Sequence, residues 1–206
     1  MPRGTQAIIG INVVVFLLQQ SSLGDSATLL FELWPLNASA VFGPAVGFAP
    51  WQLVTYGFLH NPDSFTHIFF NMFAVYTFGS ALEQTFGTRW YVTLFFVSVI
   101  TAGLTQLGVN ALINSPYPTV GASGGVFGLL LAFGMYFPQQ RIMLLFPPIP
   151  MKAWVAVIAF GALELFLGVT GTQPSVAHFA HLGGMLGAFV MIQLRRGKPP
   201  FGKRRR

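Results

Sequence analysis

The chain has 206 residues, of which 53% are hydrophobic and only 8% are charged, with 22 phenylalanines and no cysteine. A soluble domain carries about 25% charged residues, so this composition excludes a globular surface covered by charge and indicates a membrane protein built from apolar helices. The absence of cysteine excludes disulfides and cysteine–metal chemistry. The net charge of +6 would suit nucleic-acid binding, but the distribution of the basic residues argues against it.

Six apolar stretches predict six membrane-spanning helices. In chain order they cover about 6–22, 67–87, 90–112, 123–137, 153–169 and 176–194. The connection 23–66 is only half apolar, and we expect it to lie partly in the membrane interface. The sequence thus predicts an all-α membrane protein, with one membrane domain over 1–194 and a basic tail over 195–206. The first stretch also fits a cleavable signal peptide, but no small-residue cleavage site follows it, which favours a retained helix.

The basic residues indicate the orientation in the membrane. With six spans, all eleven lysines and arginines fall in the N-terminus, the second and fourth loops and the C-terminus, while the first loop holds Asp25, Glu32 and Asp63. This is the positive-inside pattern, and it predicts that both termini are cytoplasmic. The basic tail could bind anionic lipid or nucleic acid, but an anchor that fixes the topology is the simpler role. We therefore expect the lipid bilayer, and no nucleic acid, as a partner.

Ser123 lies in the glycine-rich segment 119–128, where a loop meets the fourth apolar stretch. The glycines allow a sharp transition from loop to helix. Ser123 is then at a helix N-terminus, where unpaired N–H groups stabilise developing negative charge. Taken alone, the pairs Gly121/Gly125 and Gly124/Gly128 fit a helix-packing face equally well.

Depth along the helices favours a nucleophile. From Ser123 to the exit that begins at Pro138, about fifteen residues, the helix measures ~22 Å, less than the ~30 Å hydrocarbon core. Ser123 is therefore expected below the outer surface, where non-helical backbone is tolerated only in protein or beside a water-filled cavity. His181 lies ~21 Å above Arg195. Its imidazole is thus predicted at the same level, as the base that a serine nucleophile needs.

His67 and Asn71 are spaced i,i+4 and share one face of the second predicted helix. Counted from Gly87, they lie ~30 and ~24 Å along that helix. Both side chains can donate hydrogen bonds, as an oxyanion site requires. The alternative is a hydrogen bond that holds two helices of the bundle together.

Together these residues resemble the rhomboid intramembrane protease family over about residues 50–194. Four blocks in the expected order carry the resemblance: Trp51-Gln52; His67-x-x-x-Asn71 with Gly79-x-x-x-Glu83-x-x-x-Gly87; Gly121-Ala-Ser-Gly124; and Ala180-His181-Leu-Gly-Gly184. The resemblance implies a six-helix bundle of rhomboid type, a Ser–His dyad without a third acid, and a lateral gate through which a substrate's transmembrane segment enters.

Carried over by position, the resemblance makes Ser123 the nucleophile and His181 the general base. It places His67, Asn71, Gly121 and the Ser123 backbone N–H at the oxyanion site, and makes Glu83 structural. The substrates would be single-span membrane proteins, and no cofactor or metal is expected. The compact form suggests a prokaryotic plasma membrane by analogy, and the oligomeric state stays open.

Two departures from the family pattern lie outside the dyad. The Trp-Arg pair of the first loop is Trp51-Gln52 here, so any ion pair made by that arginine is missing. Phe127 stands where many relatives have a tyrosine against the histidine, a change that preserves ring stacking.

Three other polar residues are expected to have structural or lining roles. His178 is one turn from His181, but the Ala-His-x-x-Gly pattern fits His181, and we expect His178 to line the outer mouth. The two histidines could form half a metal site, yet no third ligand has ligand-like spacing. Glu164 could orient a histidine, although a helix–helix hydrogen bond or a neutral carboxyl is the simpler interpretation. His60 is expected to be a solvated loop residue.

The leading functional hypothesis is hydrolysis of peptide bonds in transmembrane segments through an acyl-enzyme. An alternative is a non-catalytic rhomboid-like protein that binds membrane proteins, although such a protein is expected to lack the serine or the histidine. A small transporter is a third possibility, against which the missing inverted repeat and the lack of aspartates in the spans argue.

Overall fold

The structure is a computed structural model that describes residues 1–22, 24–143, 148–173 and 176–197. Within these residues the chain forms ten α-helices, a 3-10 turn, a π-helical segment and two short strands. The helices are α1 (Arg3–Gln19), α2 (Gly24–Phe31), α3 (Ala38–Phe42), α4 (Gln52–Thr55), α5 (Phe65–Ala74), α6 (Ser80–Phe86), α7 (Thr88–Ile113), α8 (Ser123–Tyr136), α9 (Ala153–Thr170) and α10 (His178–Arg195). The 3-10 turn is Tyr56–Phe58, and the π-helical segment Val75–Gly79 joins α5 to α6.

Helices occupy all six predicted stretches, so the helical class is confirmed. The ends differ by a few residues, because α1 runs from Arg3 to Gln19 and α10 begins at His178. In the described part of the chain, α7 and α9 are each long and apolar enough to cross a bilayer, while α1 and α8 are shorter apolar helices. A bundle that spans the membrane six times, with both termini cytoplasmic, therefore stays a prediction. Most of the basic tail lies outside the described residues.

The first loop contains short helices that hydropathy does not predict. After α2, the backbone of Leu33 pairs with that of Thr119 in an isolated antiparallel bridge, with both N···O distances 3.0 Å. Farther along, the carbonyl oxygen of Tyr56 accepts a hydrogen bond from the Gly121 N–H at 2.9 Å. These bonds attach the segment before Ser123 to the first loop.

The centre of the bundle is α7, against which α8 and α10 pack. Glycines allow the close crossing of α10 and α8, since a methyl group on Gly184 would meet the carbonyl oxygen of Gly124. The core around this crossing includes Phe95, Val99 and Leu129, all fully buried. The crossing thereby fixes α8, which carries Ser123, relative to α10, which carries His181.

A buried carboxylate holds the N-terminus of α1. Glu83 accepts hydrogen bonds from the backbone N–H groups of Gly4 and Thr5, each at 2.7 Å, and from the hydroxyls of Thr5 and Thr88 at 2.7 and 2.6 Å. A negative charge at a helix N-terminus satisfies unpaired N–H groups and interacts favourably with the helix dipole. This network supports the structural role expected for Glu83.

Several helix ends meet at one end of the bundle. The Arg195 guanidinium lies 5.1 Å from the ring centre of Phe86 and 5.0 Å from that of Trp90, and Arg196 lies 4.7 Å from the ring of Tyr136. The ends of α6, α8 and α10 and the start of α7 are therefore neighbours. Between α8 and α9, strands β1 (Arg141–Met143) and β2 (Pro150–Lys152) pair antiparallel, with Ile142 opposite Met151.

Candidate active site

Ser123 is the first residue of α8, and His181 lies one turn into α10. The His181 Nε2 atom is 2.8 Å from the Ser123 Oγ atom, within hydrogen-bonding distance. His181 is 7% exposed, whereas Ser123 is partly open to the adjoining cavity. The close crossing of the two helices therefore brings the predicted nucleophile and base together.

The His181 ring stacks on Phe127, which lies one turn after Ser123 on α8. The ring centres are 4.3 Å apart and the planes differ by 4°. The expected stacking of a phenylalanine on this histidine is confirmed. The stack fixes the plane of the imidazole and leaves its two nitrogens free to contact polar groups at the ring edge.

The oxyanion candidates surround the same serine. Gly121 has a φ of 128°, a conformation that L side chains rarely adopt. A methyl group there would meet the His67 Nε2 atom at 3.0 Å. The His67 Nδ1 atom accepts the Asn61 backbone N–H at 3.3 Å, which assigns the ring hydrogen to Nε2. A donor N–H of His67 thus faces the backbone next to Ser123.

Asn71 lies one turn after His67 on α5. Its side-chain nitrogen donates to the His67 carbonyl oxygen at 3.0 Å. An amide has two N–H bonds, so one is used within the helix and the second is available for another acceptor. His67, Asn71 and Ser123 therefore line one cavity, and Gly121 lies beside His67 and Ser123. The role of these residues at an oxyanion stays a prediction.

A cavity of about 1080 Å³ adjoins these residues. Its lining includes polar residues of the first loop, α5, α7, α8 and α10: Glu32, His60, His67, Asn71, Gln106, Asn110, Ser123 and His181. Burial raises the pKa of the Glu32 carboxyl to about 7. The cavity leaves open space directly beside Ser123.

His60 differs from the expectation of a solvated loop residue, because its side chain is fully buried. Its ring lies edge-on to that of His67, with centres 5.0 Å apart. Burial and the neighbouring His67 lower the pKa of His60 to about 3. His60 is therefore neutral at physiological pH and forms part of the wall behind His67.

The contacts of Glu164 are the part of the site that the sequence predicts least well. Its Oε2 atom lies 2.7 Å from Nδ1 of His178 and 2.8 Å from Nδ1 of His181. All three residues are buried. His178 is thus not a lining residue of the cavity mouth but a partner of Glu164. Counting ~1.5 Å per residue from the start of α9 puts Glu164 ~17 Å up that helix, near the level of His181, which is the signal that could have revealed the contact.

Glu164 also provides a possible third metal ligand beside His178 and His181, which the sequence spacing did not offer. One ligand atom from each residue lies within 4.8 Å of the others. However, the nitrogen–oxygen distances are 2.7 and 2.8 Å, whereas two ligands on one tetrahedral zinc lie roughly 3.3 Å apart. The cluster fits a carboxylate in direct polar contact with two histidines better than a metal site.

Gln52, at the position of the family's arginine, is 2% exposed. Its side-chain oxygen accepts the backbone N–H groups of Trp34 and Ala49 at 3.2 and 3.1 Å. Its side-chain nitrogen donates to the carbonyl oxygens of Leu30 and Gly47 at 3.3 and 3.2 Å. A neutral amide therefore fixes the first loop here through four backbone contacts.

A serine hydrogen-bonded to a histidine beside a polar cavity, within an apolar helical bundle, defines the class: a helical membrane protein with the side-chain arrangement of a serine hydrolase. Comparison with known families gives the same answer. The Rhomboid domain matches residues 47–197, so the chain belongs to the rhomboid family, whose members are integral membrane proteins.

Three relatives illustrate the similarity. "Rhomboid protein 1, mitochondrial" of Saccharomyces cerevisiae is 32% identical over 182 residues, covering 87% of this chain and 49% of the yeast protein. Rhomboid protease GluP of Bacillus subtilis is 24% identical, covering 91% of this chain and 34% of the relative. Rhomboid protease GlpG of Klebsiella pneumoniae is 27% identical, covering 91% and 61%. The chain thus spans less than two thirds of the length of each.

The relatives do not favour the prokaryotic plasma membrane that the compact form suggests. They include mitochondrial proteins of yeast and of Arabidopsis thaliana as well as bacterial proteases. Membership of the family therefore establishes an integral membrane protein without naming its membrane.

Proposed function

We propose that this protein is an intramembrane serine endopeptidase in which Ser123 is the nucleophile and His181 the general base. The observation that carries the proposal is the 2.8 Å contact between the His181 Nε2 and Ser123 Oγ atoms at the edge of the cavity. A serine hydroxyl is a weak nucleophile until an adjacent base removes its proton. Names of proteases among the relatives give independent support.

The reaction follows from this pair. His181 Nε2 accepts the hydroxyl proton as Ser123 Oγ attacks the carbonyl carbon of the scissile bond. The tetrahedral intermediate collapses when His181 gives the proton to the leaving amine, and the acyl group stays on Ser123. A water molecule then gives a proton to His181 and attacks the ester. As the bond to Ser123 Oγ breaks, His181 returns the proton to that oxygen, which releases the acid product and restores both residues.

The negative oxygen of the intermediate needs preorganised donors. The donors available beside Ser123 are the His67 Nε2–H, the second N–H of the Asn71 side chain and the backbone N–H of Ser123 at the start of α8. Gly121 contributes by its conformation, since a side chain there would strike His67. Removing a single donor of this kind costs about 3 kcal/mol in the barrier of other serine proteases.

The proposed arrangement in the membrane has six spans with both termini cytoplasmic, as the basic residues predict. α8 has 14 residues, or ~21 Å, and cannot cross a ~30 Å hydrocarbon core alone. Ser123 would then lie inside the bilayer, and the cavity would supply the water that hydrolysis needs. The substrates would be single-span membrane proteins whose helix unwinds near Ser123.

A fluorophosphonate probe tests the nucleophile directly. We expect the purified wild-type protein to be labelled on Ser123, and labelling to vanish in Ser123→Ala and in His181→Ala. Labelling should persist, at a reduced rate, in His178→Ala, because His178 does not touch Ser123. A folded wild-type protein that is neither labelled nor able to cleave transmembrane segments would defeat the proposal and favour a non-catalytic binding protein.

A further inference from the structure

Glu164 joins α9 to the histidines of α10 inside the bundle. Its Oε2 atom is shared by Nδ1 of His178 at 2.7 Å and Nδ1 of His181 at 2.8 Å. The contact with His178 has hydrogen-bond geometry. The contact with His181 is equally short, but it is not aligned with the Nδ1–H axis, so it is a close polar contact and not a formed hydrogen bond.

Counting protons assigns the state of the three groups. An ionised carboxylate only accepts hydrogen bonds, and a neutral imidazole has one N–H. Both contacts with Oε2 are attractive when each histidine carries its hydrogen on Nδ1. His181 Nε2 is then left with a lone pair, and this is the atom that lies 2.8 Å from Ser123 Oγ. A protonated Glu164 would donate its O–H to one of the two Nδ1 atoms, and that histidine would then carry its hydrogen on Nε2 instead.

We propose that Glu164 is a positioning residue for His181: it holds the tautomer with a free Nε2 and pairs with the imidazolium that forms when Ser123 loses its proton. This inference rests on the proposed function. It departs from the dyad without a third acid that the family resemblance implies. His178 holds the carboxylate through the aligned hydrogen bond, and the contact with His181 aligns as the ring gains its proton, since catalytic hydrogen bonds tighten beyond the resting state.

The packing of α9 explains why the carboxylate stays in place. Beyond Ala156, Glu164 is the one buried residue in this fully described helix. One turn farther on, α9 lies close to α10, because a methyl group on Gly168 would meet the Phe179 ring at 3.0 Å and the His178 Cβ atom at 3.2 Å. Elsewhere α9 exposes large apolar residues such as Ile158 and Phe166. A carboxylate buried on a mostly lipid-exposed helix is costly unless it has partners.

Four polar groups surround His181. Ser123 faces it from α8, Glu164 from α9 and His178 from its own helix, while His67 of α5 lies across the site. Glu164 is the only negative charge among these described neighbours. Its removal should therefore leave the imidazolium of His181 without a pairing charge and take away the acceptor that favours a hydrogen on Nδ1.

A spectroscopic test measures this directly. Wild-type protein labelled with ¹⁵N-histidine in nanodiscs should show His181 protonated on Nδ1 and unprotonated on Nε2, with the signal assigned by its loss in His181→Gln. In Glu164→Gln, we expect a mixture of the two tautomers, because an amide can also donate a hydrogen bond to Nδ1. Asp25→Asn removes an exposed carboxylate of α2 and serves as the control. The same single tautomer in wild type and Glu164→Gln would overturn the inference, whether or not the protein is an enzyme.

A kinetic test separates positioning from folding. The rate of fluorophosphonate labelling should fall on the order of 10²-fold in Glu164→Gln. Glu164→Asp keeps the charge and should recover most of the rate, and Asp25→Asn should label like wild type. If wild type is labelled but Glu164→Gln has the same rate, Glu164 has no positioning role and the proposed function stands. If wild type is not labelled, the proposed function fails and the spectra still decide the role of Glu164.

Discussion

Replacing Gln52 by leucine tests whether the first loop supports the active site. The Gln52 side chain binds the backbone of Trp34, Ala49, Leu30 and Gly47. Residue 33, next to Trp34, forms the bridge to residue 119, two residues before Gly121. Loss of the amide should therefore loosen both the loop and the segment that leads to Ser123.

The size of the effect follows from the groups left behind. In Gln52→Leu, the N–H groups of Trp34 and Ala49 and the carbonyl oxygen of Gly47 lose their side-chain partner. The Leu30 oxygen keeps the Trp51 indole N–H at 3.2 Å. An unsatisfied buried polar group costs about 1–3 kcal/mol. Taking the low value for three partly buried groups, and subtracting about 1 kcal/mol for the added apolar burial, leaves a loss of about 2 kcal/mol.

The assay is reversible unfolding in mild detergent, together with the rate of fluorophosphonate labelling. Gln52→Glu is a matched variant, because it keeps both acceptor contacts but turns a carboxylate toward the Leu30 and Gly47 oxygens, and it should also destabilise. An exposed glutamine on α6, Gln84, provides the control Gln84→Ala, which should change neither quantity. Unfolding free energies of Gln52→Leu and wild type within about 0.5 kcal/mol would refute the reasoning.

Three further predictions concern other parts of the fold. Glu83→Gln should lower the unfolding free energy by about 2 kcal/mol, because an amide cannot accept all four hydrogen bonds and carries no charge for α1; an unchanged value would contradict this. Gly184→Ala should lower the unfolding free energy by about 1–3 kcal/mol and slow fluorophosphonate labelling, because its methyl group meets the Gly124 oxygen. Gly10→Ala has open space around the Cβ position and should change neither quantity. Since the His60 pKa is lowered to about 3, the unfolded chain binds more protons than the folded one between pH ~3 and ~6.5, so stability rises with pH there. Thermal melts of His60→Gln should therefore show a shallower dependence of stability on pH than those of wild type. An equal slope would contradict the burial of His60 as the cause.

Much of the fold could be predicted because the hydropathy of a short stretch of sequence is enough to indicate a membrane helix. The stretches around α7 and α9 are long and apolar, and their positions follow from composition alone. The π-helical segment and the helices α2 to α4 could not be predicted in this way, since they depend on partners distant in sequence. Gln52 is an example, because its four contacts reach backbone groups 3 to 22 residues away.

The candidate site also contains parts that could be predicted from the sequence and parts that could not. The approach of Ser123 and His181 could be predicted from motif and depth, and the glycine at 184 explains how the helices come close enough. The contact of Glu164 with both histidines depends on the rotation of α9 about its axis. That rotation is poorly determined by sequence, because α9 is apolar on nearly every face. The burial of His60 was missed for a related reason, since it is set by the fold of the first loop around α1.

The central claim is that Ser123 hydrolyses peptide bonds within the membrane. Its most direct test is reconstitution of the purified protein in proteoliposomes with a single-span model substrate, with mass spectrometry of the products. We expect wild type to form two fragments whose shared boundary lies inside or at the edge of the transmembrane segment, and Ser123→Ala to form neither. No cleavage by folded wild-type protein against a panel of such substrates, or equal cleavage by Ser123→Ala, would contradict it.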